Sequence, residues 1–144
     1  MARRKAQEAI KPFIDYLDLG FKPAAHHVML LDALEKVERG EIERLMVCMP
    51  PGSAKSTYTS VVFPSWFLGR NSKLSVIAAS HTQELAERFG RRVRNLVASK
   101  EFGNVFGVGV ADDSASAGRW DTTEGGEYFA AGVGGSITGR RADL

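Results

Sequence analysis

The spacing of apolar positions changes along the chain, and each change marks a predicted element. The first forty residues carry a helical period, clearest in "HHVMLLDALEKVERG", where Leu30 or Leu31, Leu34 and Val37 fall on one face and Gly40 suits the stop. Asp32 with Lys36 and Glu35 with Arg39 are acid-before-base pairs at i,i+4, so the opposite face is expected in solvent. "RLMVCMPP" then breaks the period with a short continuous apolar run ended by prolines, the pattern of a strand covered on both faces, here Leu45 to Met49. "STYTSVVFPSWFLG" predicts a packed helix from Ser56 toward Gly69 with a kink at Pro64. "LSVIAAS", Leu74 to Ser80, predicts a second buried strand.

Ser80 opens an S-x-x-Q capping box with Gln83, and Leu85, Phe89, Val93 and Leu96 mark one face of a helix lasting to about Ser99. "ADDSASAG" is expected to be a surface loop, and "GEYFAAGVGGSITG" two short strands turning at Gly134 and Gly135. Strand, helix, strand, helix is a βαβ rhythm, which predicts an α/β fold with a mostly parallel sheet flanked by helices.

Composition changes this picture little. With 144 residues, 44% hydrophobic and 25% charged, the chain suits one core without a covalent staple. A net charge of +2 is too small to announce nucleic acid by itself. The single cysteine, Cys48, excludes an internal disulfide, fits a reducing compartment, and lies in an apolar run where burial is expected. "MARRKAQEAIKPF" has no apolar stretch of signal-peptide length, and nothing later approaches the ~18 apolar residues of a membrane span, so no membrane and a cytoplasmic location are expected.

The candidate chemistry lies in "MPPGSAKST", residues 49 to 57. Laid over Met49 to Ser56, the phosphate-loop pattern G-x-x-x-x-G-K-[ST] misses both glycines and keeps a Gly52-Ser53 bend, Lys55 and Ser56. A phosphate site needs converging backbone N–H groups, a helix start aimed at them, and a mobile cation. Pro51, Gly52, Ser53 and Ala54 would form the wrap, Lys55 would follow charge on the outer phosphates of ATP, Ser56 would give its hydroxyl to Mg²⁺, and Thr57 would contact an inner phosphate. A methyl at Ala54 is tolerable where φ is negative, so right-handed geometry is expected there. The bland alternative is an ordinary strand-to-helix connection.

"RGEIERLMVCMPPGSAKSTYTSVVFPSWFLG", "SVIAASHTQELAERFGRRVRN" and "GGEYFAAGVGGSITGRRADL" together resemble the amino-terminal ATPase part of a bacteriophage terminase large subunit, from about Pro23 to the end. The resemblance implies an incomplete RecA-like P-loop core over 41–144 behind a helical lead-in over 1–40, with Gly52 to Thr57 as the Walker A loop and Lys55 as its catalytic lysine. It also implies ATP and Mg²⁺ as cofactors, and double-stranded DNA, a portal protein and a terminase small subunit as partners. A homo-oligomeric ring in the host-cell cytoplasm follows for the parent protein. His26 and His27 lie where the family places an adenine-recognition element, or are two polar residues at a helix start.

In the family, the segment resembling "TGRRADL" leads into a strand ending in the Walker B aspartate and catalytic glutamate. Asp143 stands too early for that acid, and the nuclease domain is absent from this sequence. Phosphoryl transfer is mostly positioning and charge stabilisation, so binding of ATP without hydrolysis is expected of this chain. Arg88, Arg91, Arg92 and Arg94 suit DNA phosphate, a neighbouring subunit or plain solvent; Arg140 and Arg141 suit an arginine finger or the surface. Trp120, Tyr128 and Phe129 suit core better than a base-stacking platform. A small-molecule kinase and a non-catalytic nucleotide-binding scaffold remain as alternatives.

Overall fold

A computed structural model describes residues 1–144, apart from the side chains at 114 and 115. The lead-in forms α1 (Ala2–Glu8), α2 (Ile10–Leu17) and α3 (Ala25–Glu38). Ile10, Phe13 and Ile14, spaced i, i+3, i+4, turn inward and are buried together with Ala6. Leu30, Leu31 and Leu34 do the same on α3, and Gly40 closes that end with φ of +73°. Glu35 pairs with Arg39 at 3.5 Å as its spacing predicts, whereas Asp32 turns to Lys11 at 2.8 Å and ties α3 to α2.

Leu45 to Met49 is not a strand: no backbone hydrogen bond of a ladder reaches it among the described residues. An apolar run becomes a strand only where another strand presents its edge, and here none does. Cys48, expected to be buried, is consequently exposed.

From Lys55 the chain is helical without interruption: α4 (Lys55–Thr57), a π turn (Tyr58–Val62) and α5 (Phe63–Arg70). Pro64 offers no N–H, and in a regular helix its ring would strike the carbonyl four residues back. The wider π turn immediately before it relieves that conflict, so the helix continues through the proline. Tyr58, Val62, Trp66 and Leu68 are buried along this run, and Trp66 donates its indole N–H to the Ala6 carbonyl at 3.1 Å.

Four strands, β1 (Ser75–Ser80), β2 (Val110–Ala115), β3 (Arg119–Thr122) and β4 (Glu127–Gly132), form one open sheet in the order β1-β4-β3-β2. Only β1 with β4 is parallel; β3 with β4 and β2 with β3 are antiparallel, so the sheet is not mostly parallel. The hairpin that makes this so lies between β3 and β4. Gly126 passes so close to the carbonyls of Ser72 and Leu74 that a Cβ there would lie 2.5 Å and 2.6 Å from their oxygens. Residues 136–139, expected to pair back onto β4, form no strand, and the first five of the eight residues of "ADDSASAG" belong to β2 instead of a loop.

Helices α6 (Gln83–Val97) and α7 (Lys100–Phe106) complete the flanking layer. Thr82, not Ser80, caps α6 by accepting from Leu85 N–H at 3.1 Å, while Gln83 accepts from Gly132 N–H at 2.8 Å. The buried stripe is Ala86, Gly90, Val93 and Val97, rotated from the expected one so that Leu85 is exposed. At the other edge of β1, Ser75 O accepts from Leu144 N–H at 3.2 Å and Ile77 N–H donates to Leu144 O at 2.9 Å, a parallel register. A cleft of 740 Å³ separates that edge from Leu45 and Val47.

Candidate functional site: the loop before α4

Ser53 N–H bonds to Pro50 O at 3.3 Å, closing a four-residue turn with Pro51 first in its centre and Gly52 second at φ of +76°. That is the residue order a type II turn demands, since proline pre-sets the first position and glycine accepts the positive angle of the second. Two residues on, Ala54 has φ of 56° and ψ of 15°. The right-handed geometry expected of Ala54 is therefore wrong. The chain has to reverse between the 45–49 segment and α4, and a second left-handed residue completes the curl although a methyl resists it.

Ala54 in the left-handed region followed by helical Lys55 is the alternation that gathers successive backbone N–H groups around a concavity. The first helical hydrogen bond runs from Thr57 N–H to Ala54 O at 3.0 Å. The N–H groups of Ala54, Lys55 and Ser56 precede it and have no partner among the described residues. Ser53 Oγ is buried and likewise unpartnered. Lys55 reaches back over the curl, its Nζ donating to Met49 O at 3.1 Å. The hydroxyl of Ser56 lies on a small pocket with Ser60, Ser80 and Phe89, and Thr57 is half-buried behind the loop.

On the other side of the curl stands the start of α3. Met49 to Ala54 share a pocket of 540 Å³ with His26 and His27. His27 Nδ1 accepts from Ala24 N–H at 3.1 Å, and Nε2 lies 2.8 Å from Ser53 O. The imidazole packs on the buried ring of Tyr58, centroids 4.5 Å apart, and its centroid lies 3.9 Å from that of His26. Burial pushes the Tyr58 phenol up, so that ring stays neutral. The pairing of His27 with Ser53, 26 residues apart, left no signal in the sequence beyond two histidines at a helix start.

Other sequence candidates lie elsewhere. Arg88, Arg91 and Arg92 are exposed along α6. Arg140 stacks 3.8 Å over Phe129 and pairs with Glu127, which also holds Arg119 at 3.0 Å. Trp120 and Tyr128 are buried and stacked, 5.1 Å apart and 10° from coplanar, as core residues, while Phe129 is only half-covered. The Asp143 carboxylate accepts from Ser75 N–H at 2.8 Å and so caps β1. No helix among the described residues is long and apolar enough to cross a membrane. No family model matches the chain, and no curated protein and no solved structure is significantly similar to it.

Proposed function

We propose that the chain binds the triphosphate tail of ATP in the curl 50–57 and forms the nucleotide-binding part of a RecA-like, terminase-type DNA-packaging motor. The observation that carries the phosphate reading is the run of unpartnered amides at Ala54, Lys55 and Ser56, which starts at a left-handed alanine and is accompanied by a Lys55 ammonium folded back onto Met49 O. Backbone held in a sparsely populated region at a loop is a device of ligand sites. The buried, unpartnered Ser53 hydroxyl stands immediately before these amides in the chain. Lys55 would exchange Met49 O for phosphate oxygen, Ser56 would supply one oxygen to Mg²⁺, and phosphates and water would fill the remaining positions of its shell.

The assignment to a packaging motor, with duplex DNA, a portal and a small subunit as partners, rests on the resemblance of the three segments quoted above. Neither the pocket at Met49–Ala54 nor the one holding Ser56 is lined by a carboxylate, so the reading is of binding without turnover.

Calorimetric titration with Mg-ATP tests this. A hydrogen bond to a charged group contributes about 1.5–3 kcal/mol, so Lys55→Ala should weaken binding by about 12- to 160-fold. Equal affinity of the wild type and Lys55→Ala would refute the site, and steady hydrolysis by the purified chain that Lys55→Ala abolishes would refute binding without turnover.

A further inference from the structure

We propose that His27 is a positioning residue for the phosphate loop: its neutral imidazole clamps the Ser53 carbonyl and thereby sets the direction of the Ala54 amide. The inference rests on the phosphate-site reading above and adds to it a residue on a different helix.

The hydrogen bonds leave one tautomer. Ala24 N–H is a donor, so Nδ1 facing it at 3.1 Å carries no proton. Ser53 O accepts only, so Nε2 at 2.8 Å carries the hydrogen and donates. Each contact demands the same arrangement as the other, and the ring cannot flip without losing both. The ring also makes tilted contacts with Tyr58 at 4.5 Å and His26 at 3.9 Å, and Phe21 meets Tyr58 edge-on at 5.7 Å.

A trans peptide unit points its C=O and its following N–H in opposite directions. Fixing Ser53 O toward α3 therefore aims Ala54 N–H away from α3, and this amide is the first of the three unpartnered ones. The same contact bears on the strain at Ala54. A left-handed alanine persists where neighbouring contacts over-determine it. Here the carbonyl before it is held by His27, and its own carbonyl is held by Thr57 N–H. Without the clamp the 53–54 peptide is free to rotate, and a loop that has relaxed Ala54 no longer presents its amides together.

The experiment uses the full chain with two substitutions that separate donor from ring. His27→Gln keeps an N–H donor and removes the ring; His27→Phe keeps the ring against Tyr58 and removes the donor. The probes are inorganic tripolyphosphate, which has no base to stack, and Mg-ATP. Binding of tripolyphosphate is expected to weaken about 3- to 10-fold in His27→Phe, the effect of one lost neutral hydrogen bond, and to stay within about twofold of wild type in His27→Gln. Mg-ATP should follow the same factors. Tripolyphosphate binding by His27→Phe at wild-type strength overturns the proposal, as does a loss in both variants or in His27→Gln alone. A loss for Mg-ATP only makes His27 a base contact and also overturns it. Lys55→Ala runs beside them. If the wild type binds neither probe, the phosphate site itself fails, a result distinct from wild-type binding that is indifferent to His27.

Discussion

Ala54 is the residue on which the local chemistry turns. An L-residue in the left-handed region is disfavoured by roughly 1–2 kcal/mol, and glycine escapes that cost but loses about 0.5–1 kcal/mol more in chain entropy on folding. The balance predicts that Ala54→Gly raises stability by about 1 kcal/mol or less in urea unfolding, whereas Ala54→Val, branched at Cβ, lowers it by more than that. Should Ala54→Gly lower stability by over about 1 kcal/mol, the left-handed angle is not present in solution. The proline and glycine of the preceding turn were legible, because Pro51 and Gly52 have intrinsic preferences that match their positions. Ala54 was not, since its angle opposes its own preference and is imposed by contacts on both sides.

At the scale of elements, periodicity located α3, β1 and α6, but the neighbours decided which faces point inward. On α6 the expected stripe of large residues gives way to Ala86 and Gly90, and at Gly90 the β2–β3 connection, with β4 beside it, comes too near for a side chain. A Cβ on Gly90 would lie 2.6 Å from Ala117 O. The tightest such contact is at the end of β4, where a Cβ on Gly132 would lie 2.3 Å from Gln83 N at the start of α6. Gly132→Ala must push the helix off the sheet and is expected to destabilise by about 1–3 kcal/mol in thermal or chemical unfolding. Wild-type stability in that variant would show that α6 is not seated on β4 as described. The π turn belongs to this scale too: Pro64 signalled a disturbance, and packing of Tyr58, Val61 and Val62 converted a kink into a wider turn.

Across the whole molecule, buried residues run without a gap from Ala6 on α1 through Trp66 on α5 to Trp120 and Ala130 in the sheet. One continuous core predicts one cooperative transition. The two tryptophans report on its ends, Trp66 under α1 and Trp120 beside Tyr128. Fluorescence melts of Trp66→Phe and Trp120→Phe should each coincide with the circular dichroism of the same variant; midpoints that separate within a variant would divide the helical lead-in from the rest. The sheet was the least legible feature at this scale. The apolar runs at Leu45 to Met49 and Leu74 to Ser80 read alike, yet only the second finds partners, β4 on one side and Leu144 on the other.

The sequence alone determined where α3 stops at Gly40, that a helix follows the 49–57 loop, and where the chain must turn at Pro51-Gly52, because these depend on residues a few positions apart. Tertiary structure decided strand pairing, the inward face of α6, the left-handed angle at Ala54 and the reach of His27 to Ser53. Each of those is a contact between distant parts of the chain, and its energy exceeds the local preference it overrides.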